Sequence, residues 1–311
     1  MYSLPIDDII YMVIDMKYLT SNEIATKWNT SARSVRNYCN KGRVIGAILK
    51  GKTWLIPEDS KKPEKQVRHT SNERKLLQIL LDEKENKVTG GIYHKLQIEI
   101  TYNSNHIEGS KLTHDQTRYI YETKTVGLSD DIIKVDDIIE TSNHFRCVDL
   151  AIDSAKYKLT ESLIKQFHYI LKIGTSDSRK SWFKIGDYKL MENEVGGCET
   201  CPVNEVKSRM KDLLQNYNSK TTITIEDIIN FHYEFEKIHP FQDGNGRVGR
   251  LIMLKECLKH NIVPMIITED LKLFYYRGLK EYKQVKGYLM DTCLFAQDIM
   301  KKYLDYFKIP Y

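Results

Sequence analysis

From Glu73 onward, apolar residues recur at intervals of three and four almost without a break. That spacing puts them on one face of an α-helix. Ile79, Leu80 and Leu81 fall in one such segment, and Ile98, Ile100 and Tyr102 in another. Ile132, Ile133, Val135, Ile138 and Ile139 begin a third, which continues through Phe145 and Leu150. Further helices are predicted over residues 163–171, 206–214, 225–238, 246–260, 271–282 and 289–306. A chain patterned this way buries its apolar stripes by packing helix on helix. Only residues 184–200, rich in glycine, break the pattern, and they read as an extended hairpin. No apolar run reaches the ~20 residues that span a bilayer. The stretch 9–16 is short, contains Asp15 and has no basic flank before it, unlike a secretory leader. Six cysteines in 311 residues fit a reduced thiol pool. A cytoplasmic location with no membrane partner is therefore expected.

A smaller, basic unit precedes this run. Between residues 17 and 68 there are 12 Lys and Arg against 4 Asp and Glu, a local +8 in a chain whose net charge is +5. The remainder is slightly acidic. Thr20 and Glu23 have capping-box spacing and open a short helix through Ile24, Ala25 and Trp28. Asn29-Thr30 is a turn, and Ser31 caps a second helix with Val35 and Tyr38 on one side. Arg33, Arg36, Asn37 and Lys41 fall on the other side, and Gly42 stops the helix. Residues 44–49 and 53–56 flank Lys50-Gly51-Lys52, a hairpin signal with a basic tip. Helix, turn, helix and hairpin suit a helix in a major groove with a wing on the backbone. Residues 18–57 resemble the excisionase-like or MerR-like winged helix domains of bacteria. If DNA is the partner, Arg33, Arg36 and Asn37 are the expected contacts. Residues 58–72 are polar and contain Pro63, a linker composition. The expected division is a winged helix-turn-helix unit at 1–62, a linker at 63–72, and a helical domain at 73–311.

The densest chemistry lies in Ile238-His239-Pro240-Phe241-Gln242-Asp243-Gly244-Asn245-Gly246-Arg247-Val248-Gly249-Arg250, between two predicted helices. Glycines around Asn245 allow successive N–H groups to turn inward as an anion nest. The dipole of the following helix adds partial positive charge at the same point. Arg247 and Arg250, three apart, share a helix face, and guanidinium forks fit phosphate oxygens. Asp243 is a hard oxygen ligand of the kind Mg²⁺ takes beside nucleotide phosphates. His239 is the group suited to take a proton from a hydroxyl. An anion cradle, a metal carboxylate and a base on one loop make a phosphoryl- or nucleotidyl-transfer constellation.

The segment also matches HPFxDGNGRxxR, the signature of the Fic family, at every specified position, and the similarity extends over most of residues 73–311. The resemblance implies a mainly α fold: a Fic-type helical bundle with a β-hairpin flap, here preceded by the small winged unit. It implies a protein adenylyltransferase that moves AMP from ATP to a Ser, Thr or Tyr hydroxyl and releases pyrophosphate. Under it His239 is the general base and Asp243 binds Mg²⁺ (or Mn²⁺). Gly244, Asn245 and Gly246 cradle the phosphates, Arg247 holds their β/γ end, and Arg250 holds the γ-phosphate. Phe241 is the buried anchor of the loop. Doc-type kinase relatives depart from the GNGR pattern that this chain keeps, which favours AMP transfer over phosphate transfer.

Ser104-Asn105-His106-Ile107-Glu108-Gly109 fits the family's inhibitory pattern (S/T)xxxE(G/N). The resemblance implies an inhibitory helix near residues 95–109, with Ser104, Glu108 and Gly109 as its functional end. Glu108 would pair with Arg250, and one guanidinium cannot serve both a carboxylate and a γ-phosphate. The same letters also fit an ordinary helix end capped by Gly109. Residues 187–202 resemble the flap, whose edge aligns a target segment by strand addition. Lys189, Met191, Val195 and Gly196 are the contact candidates there. Cys198 and Cys201 form a lone C-x-x-C, short of the four ligands of a structural zinc. Tyr275 and Tyr276 are candidates for the adenine pocket, with one of them expected in the core. His232 and His260 read as structural. Two rival functions remain: a DNA-binding regulator whose Fic-like domain senses ATP or modifies itself, and an enzyme that mainly removes AMP from a target. A homodimer enters only through the resemblance.

Overall fold

The computed structural model describes residues 17–40, 42–51, 53–63, 75–127, 132–195 and 198–311. The chain divides into two compact units, residues 1–71 and 72–311. All but the first residue of the expected linker, as well as Gly196 and Lys41, lie outside the described residues.

In the first unit, β1 (Tyr18–Thr20) leads into α1 (Ser21–Lys27), α2 (Ala32–Asn40), β2 (Ile48–Lys50) and β3 (Thr53–Pro57). The capping box forms: the Thr20 amide donates to Glu23 at 2.7 Å, and the Thr20 hydroxyl accepts from the Glu23 amide. Ile24, Ala25, Trp28, Val35, Cys39, Val44 and Ile56 pack into the core. The strands are ordered β1-β3-β2 and antiparallel, with Leu19 opposite Ile56 and Leu49 opposite Trp54. Two expectations need correction. The hairpin's first strand starts at Ile48 rather than at residue 44, because residues 44–47 form a turn about Gly46, whose φ is +77°. The turn carries Val44 into the core, and only glycine adopts such a φ freely. β1 was not anticipated, since three residues are too few to show alternation.

The second unit is helical. Its helices are α3 (Leu76–Glu85), α4 (Ile92–Ile107), α5 (His114–Glu122), α6 (Val135–Asp153), α7 (Glu161–Lys172), α8 (Val203–Asn218), α9 (Ile225–Ile238), α10 (Asn245–Lys259), α11 (Lys272–Glu281) and α12 (Gly287–Tyr306). Among the described residues, no helix is long and apolar enough to cross a membrane. α5 escaped the apolar pattern but has a local signal: Thr113 and Gln116 close a reciprocal capping box at 3.1 and 2.9 Å. The third predicted segment begins at Val135, not at residue 132, where Ile132 is 93% exposed. α10 is the central post, buried on every face from Arg247 to Leu258, with α4, α6, α7 and α9 packed around it. In its second half the buried Lys255 and Glu256 neutralise each other at 2.5 Å, and Tyr217 donates to Glu256 at 3.0 Å. Such pairing is the condition for keeping ions in a core.

α4 docks on α6 through a polar stripe. Tyr93 and Gln97 donate to Asp149 at 2.7 and 2.9 Å, Thr101 meets His144 at 3.0 Å, and Asn105 donates to Thr141 at 3.2 Å. The four residues are spaced by four, so they share one helix face. The expected hairpin over residues 184–200 shrinks to β4 (Glu194–Val195) and β5 (Cys198–Glu199), paired Glu194 to Glu199 and Val195 to Cys198. The residues before it instead lie along another loop: the Lys189 amide donates to the Pro240 carbonyl at 2.9 Å and Asn193 donates to the Phe241 carbonyl at 3.2 Å.

Candidate functional site

α9 ends at Ile238, and His239 turns out of the helix in the left-handed region, φ +50°, while its amide still caps Phe235 at 2.9 Å. Pro240 has no N–H with which to continue the helix. The loop then closes on itself: Asn245 accepts from the Phe241 amide and donates to the Phe241 carbonyl, each at 2.8 Å. The Asn245 side chain is thus committed to the loop, and only its backbone is left for a cradle. Phe241 is fully buried, stacked on His168 with ring centroids 4.0 Å apart. His168 is fixed in turn by the Gly186 amide, which donates to its Nδ1 at 2.9 Å.

Gly244 takes φ +81° and begins α10. The first-turn N–H groups of a helix have no intrahelical partner, so this N-terminus is an anion site by construction. A Cβ at Gly246 would stand 2.3 Å from Glu108 Oε1, which places that carboxylate directly over the first turn. Glu108 follows the last residue of α4, and Gly109 then leaves at φ +96°. The helix-end reading of this motif thus holds, with the Glu108 carboxylate set over the start of α10.

Arg250 is 9% exposed, and its hydrogen bonds run to the end of α4. Nε donates to the Ser104 hydroxyl at 3.0 Å, and Nη2 donates to the Ser104 carbonyl at 2.9 Å and to Glu108 at 2.7 Å. Arg247 donates to Glu140 and, at 3.4 Å, to Asp243. Asp243 also accepts from Lys172 at 2.7 Å. Arg247 Nε and Arg250 Nη1 are buried with no partner. Unmet donors of this kind are costly unless a ligand completes them.

Burial, reinforced by the nearby Lys189 charge, pushes the His239 imidazole down to about 4, so it is neutral at physiological pH and able to accept a proton. Burial works to raise the Asp243 carboxyl, but the charges of Arg247 and Lys172 outweigh it and hold the group well below the usual range. Asp243 is half exposed, and among the described residues no group of three or more His, Cys, Asp or Glu side chains is placed to hold a metal alone. One ionised carboxylate beside a phosphate cradle fits Mg²⁺, which keeps waters and shares its shell with substrate phosphates.

The tyrosine pair divides. Tyr275 is fully buried, with its hydroxyl 2.6 Å from His232 Nε2, and is a core residue. Tyr276 is 39% exposed and its hydroxyl donates to the Ile107 carbonyl at 3.3 Å, at the root of the Glu108 turn. Lys189 is 3% exposed, and its ammonium is tied to Asn193 and Thr200 inside the flap. That burial removes it from the surface a target would touch. Met191 is exposed, and its amide donates to Gln242 at 3.2 Å. Val195 is in β4, beside the undescribed Gly196. Cys201 is buried. Arg33, Arg36 and Asn37 belong to the first unit, exposed along α2.

Sequence reasoning missed Glu140, Lys172 and Asp177, which surround Asp243 and Arg247, and Glu236, a buried carboxyl near Arg250. Burial raises Glu236 to about 8, against the opposing pull of Arg250. Each stands on an amphipathic helix or a turn, where its letter is indistinguishable from a solvated charge.

Residues 158–257 match the Fic/DOC family model. Protein adenylyltransferase fic-1 of Caenorhabditis elegans is 26% identical over 182 residues, covering 57% of this chain and 35% of that protein. Protein adenylyltransferase Fic of Drosophila melanogaster is 28% identical over 214 residues, covering 66% of this chain and 40% of that protein. The chain thus spans 40% or less of the length of these relatives. Among solved structures, a Fic domain containing signaling protein from Bacteroides thetaiotaomicron superposes with a TM-score of 0.58 at 22% identity, over 74% of this chain and 94% of that one. A Fic family protein from Desulfovibrio desulfuricans gives 0.57 at 23% identity, over 74% and 72% of the two chains. The fold is the mainly helical Fic fold.

Proposed function

We propose that this chain is a protein adenylyltransferase held in check by Glu108. The reading rests on one observation above all: the N-terminus of α10, flanked by two buried arginines with unmet donors, is covered by a carboxylate that pairs with Arg250 at 2.7 Å. A site built for a polyanion is closed by an internal anion.

In the reaction, a target hydroxyl gives its proton to His239 while its oxygen bonds to the α-phosphorus of ATP. The bond from that phosphorus to the bridging oxygen breaks, and pyrophosphate leaves. The products are an AMP ester on the target, pyrophosphate and a protonated His239. The first-turn amides of α10 and the Arg247 guanidinium stabilise charge on the phosphates, as preset donors do in a site shielded from water. A divalent metal held by Asp243 would supply further neutralisation of phosphate charge. Incubation with α-labelled ATP, Mg²⁺ or Mn²⁺ and cell lysate tests the proposal. Label on a separate protein supports it. Label confined to this chain favours a self-modifying sensor, and release of AMP from a labelled target favours a removal enzyme.

For the first unit, DNA is the proposed partner. Arg33, Arg36 and Asn37 are exposed at spacings of three and four along α2, and Lys50 is exposed at the end of β2, beside the turn into β3. That arrangement suits phosphate and base-edge contacts. In gel-shift assays on genomic fragments, replacing both Arg33 and Arg36 with alanine should abolish any specific shift and flatten the salt dependence by about two phosphate contacts. A shift unchanged in the double variant would refute DNA contact through this helix.

A further inference from the structure

We propose that Lys172 and Glu140 are positioning residues that lock Arg247 and Asp243 into one preset unit, so that metal is taken up together with nucleotide phosphates rather than alone. The proposal rests on the reading of the site as an AMP-transfer centre, and its test separates the two.

Lys172 ends α7, where a lysine ordinarily extends into water. Here it is 2% exposed, and its stem runs under the loop, with Cδ 3.8 Å from where a Cβ on Gly244 would lie. Its ammonium meets Glu140, Asp177 at 3.1 Å and Asp243 at 2.7 Å. Glu140 projects from α6 and gives its other oxygen to Arg247 Nη1. Arg247 Nη2 returns to Asp243 Oδ2 at 3.4 Å, the same oxygen that Lys172 holds. Lys172, Glu140, Arg247 and Asp243 therefore form a closed ring of alternating charge, drawn from α6, α7 and the loop into α10. Lys172 and Arg247 are the buried ions of the ring, and leaving either without its carboxylates would be strongly unfavourable. The ring fixes the metal carboxylate and the phosphate guanidinium relative to each other before substrate arrives.

The ring also sets the local charge. With Asp177 and its own partner Lys180, 2.6 Å away, the cluster holds three carboxylates and three cations. These ion pairs leave no excess negative charge, so a bare divalent ion has little to gain. A metal that arrives with phosphates brings its own further ligands. Changing the ring by one charge in either direction should therefore move metal affinity in opposite directions.

The test uses the full chain carrying Glu108→Gly and measures Mn²⁺ binding by electron paramagnetic resonance, with and without ADP, alongside AMP transfer. Lys172→Met adds one net negative charge and should tighten Mn²⁺ binding without nucleotide by about tenfold, whereas Glu140→Gln should weaken it by a similar factor. Both should lower kcat/KM for transfer by at least about tenfold through lost alignment, and Lys172→Arg should restore most of it. A structural lesion would shift both variants the same way, so opposite signs are the signature of the ring. Mn²⁺ affinities within twofold of the parent in both variants, or displaced in the same direction, would overturn the proposal. Should Lys172→Met not fold, the sign of the Glu140→Gln shift decides. If the Glu108→Gly parent transfers no AMP, the functional reading falls, while the Mn²⁺ titration still judges the ring.

Discussion

Replacing Glu108 with glycine should raise the initial rate of AMP transfer by about one to two orders of magnitude. The Glu108–Arg250 contact is a half-buried, charge-assisted hydrogen bond at 2.7 Å, with the guanidinium inside and the carboxylate at its outer edge. Bonds to charged groups contribute about 1.5–3 kcal/mol, and each 1.4 kcal/mol corresponds to about tenfold in an equilibrium. Removing the carboxylate does two things at once. It releases the Nη2 bond that Arg250 gives to Glu108, and it clears the first turn of α10, where Oε1 lies 2.3 Å from the Cβ position of Gly246. Arg250 keeps its two bonds to Ser104, so the guanidinium stays aimed at the site. The backbone at Glu108 has φ −84°, which any residue adopts, so the substitution introduces no strain. Rates with α-labelled ATP decide the matter: equal rates for variant and parent would eliminate Glu108 as a brake.

Alanine at His239, placed in the same activated background, should lower transfer by about 10²–10⁴-fold, the range lost with a general base, while ATP affinity changes little. The imidazole is not among the hydrogen-bond partners of Arg247 or Arg250, which is why binding and chemistry should separate. The pH profile carries a second signature. Burial holds His239 at about 4, below the ordinary imidazole value of 6.5. The base form is therefore fully present above about pH 5, and the acid limb of kcat/KM should fall near 4–5 rather than near 6.5. The sign follows from the depressed value: protons are taken up, and the base lost, only as pH falls through it. A limb centred near 6.5, or an alanine variant within threefold of its parent, would remove His239 from this role.

Legibility in the sequence followed the reach of each interaction. The capping boxes at Thr20 and Thr113 involve residues three apart, so their letters suffice, although the helix of the second is hidden from an apolar pattern because it buries Gln116 and Thr117 beside Ile120. The loop from His239 to Arg250 is likewise continuous. Its histidine, its glycines and its arginines lie within one turn-to-helix connection, and local backbone geometry alone brings them together. The pairing of Glu108 with Arg250, 142 residues apart, became visible only through resemblance to a known pattern. Where neither contiguity nor a pattern helped, the reading stayed coarse. The flap kept its place but not its length, because its leading segment bonds to residues 240–242 in place of a long partner strand.

By itself, then, the sequence determined that residues beyond 73 form helices, that a hairpin-bearing basic unit precedes them, and that one loop holds a histidine, an aspartate, glycines and two arginines. Helical period, turn chemistry and capping act within a few residues, so one dimension is enough to express them. Which charges face inward was decided only by the tertiary structure. Lys172, Glu140 and Lys189 carry the same letters as solvated surface residues, and only the crossing of α6, α7 and the flap over α10 removes them from water. The same packing placed Tyr275 in the core and left Tyr276 open, although the two are adjacent. Burial is a property of what the other helices bring to a position, and that information is nowhere local to it.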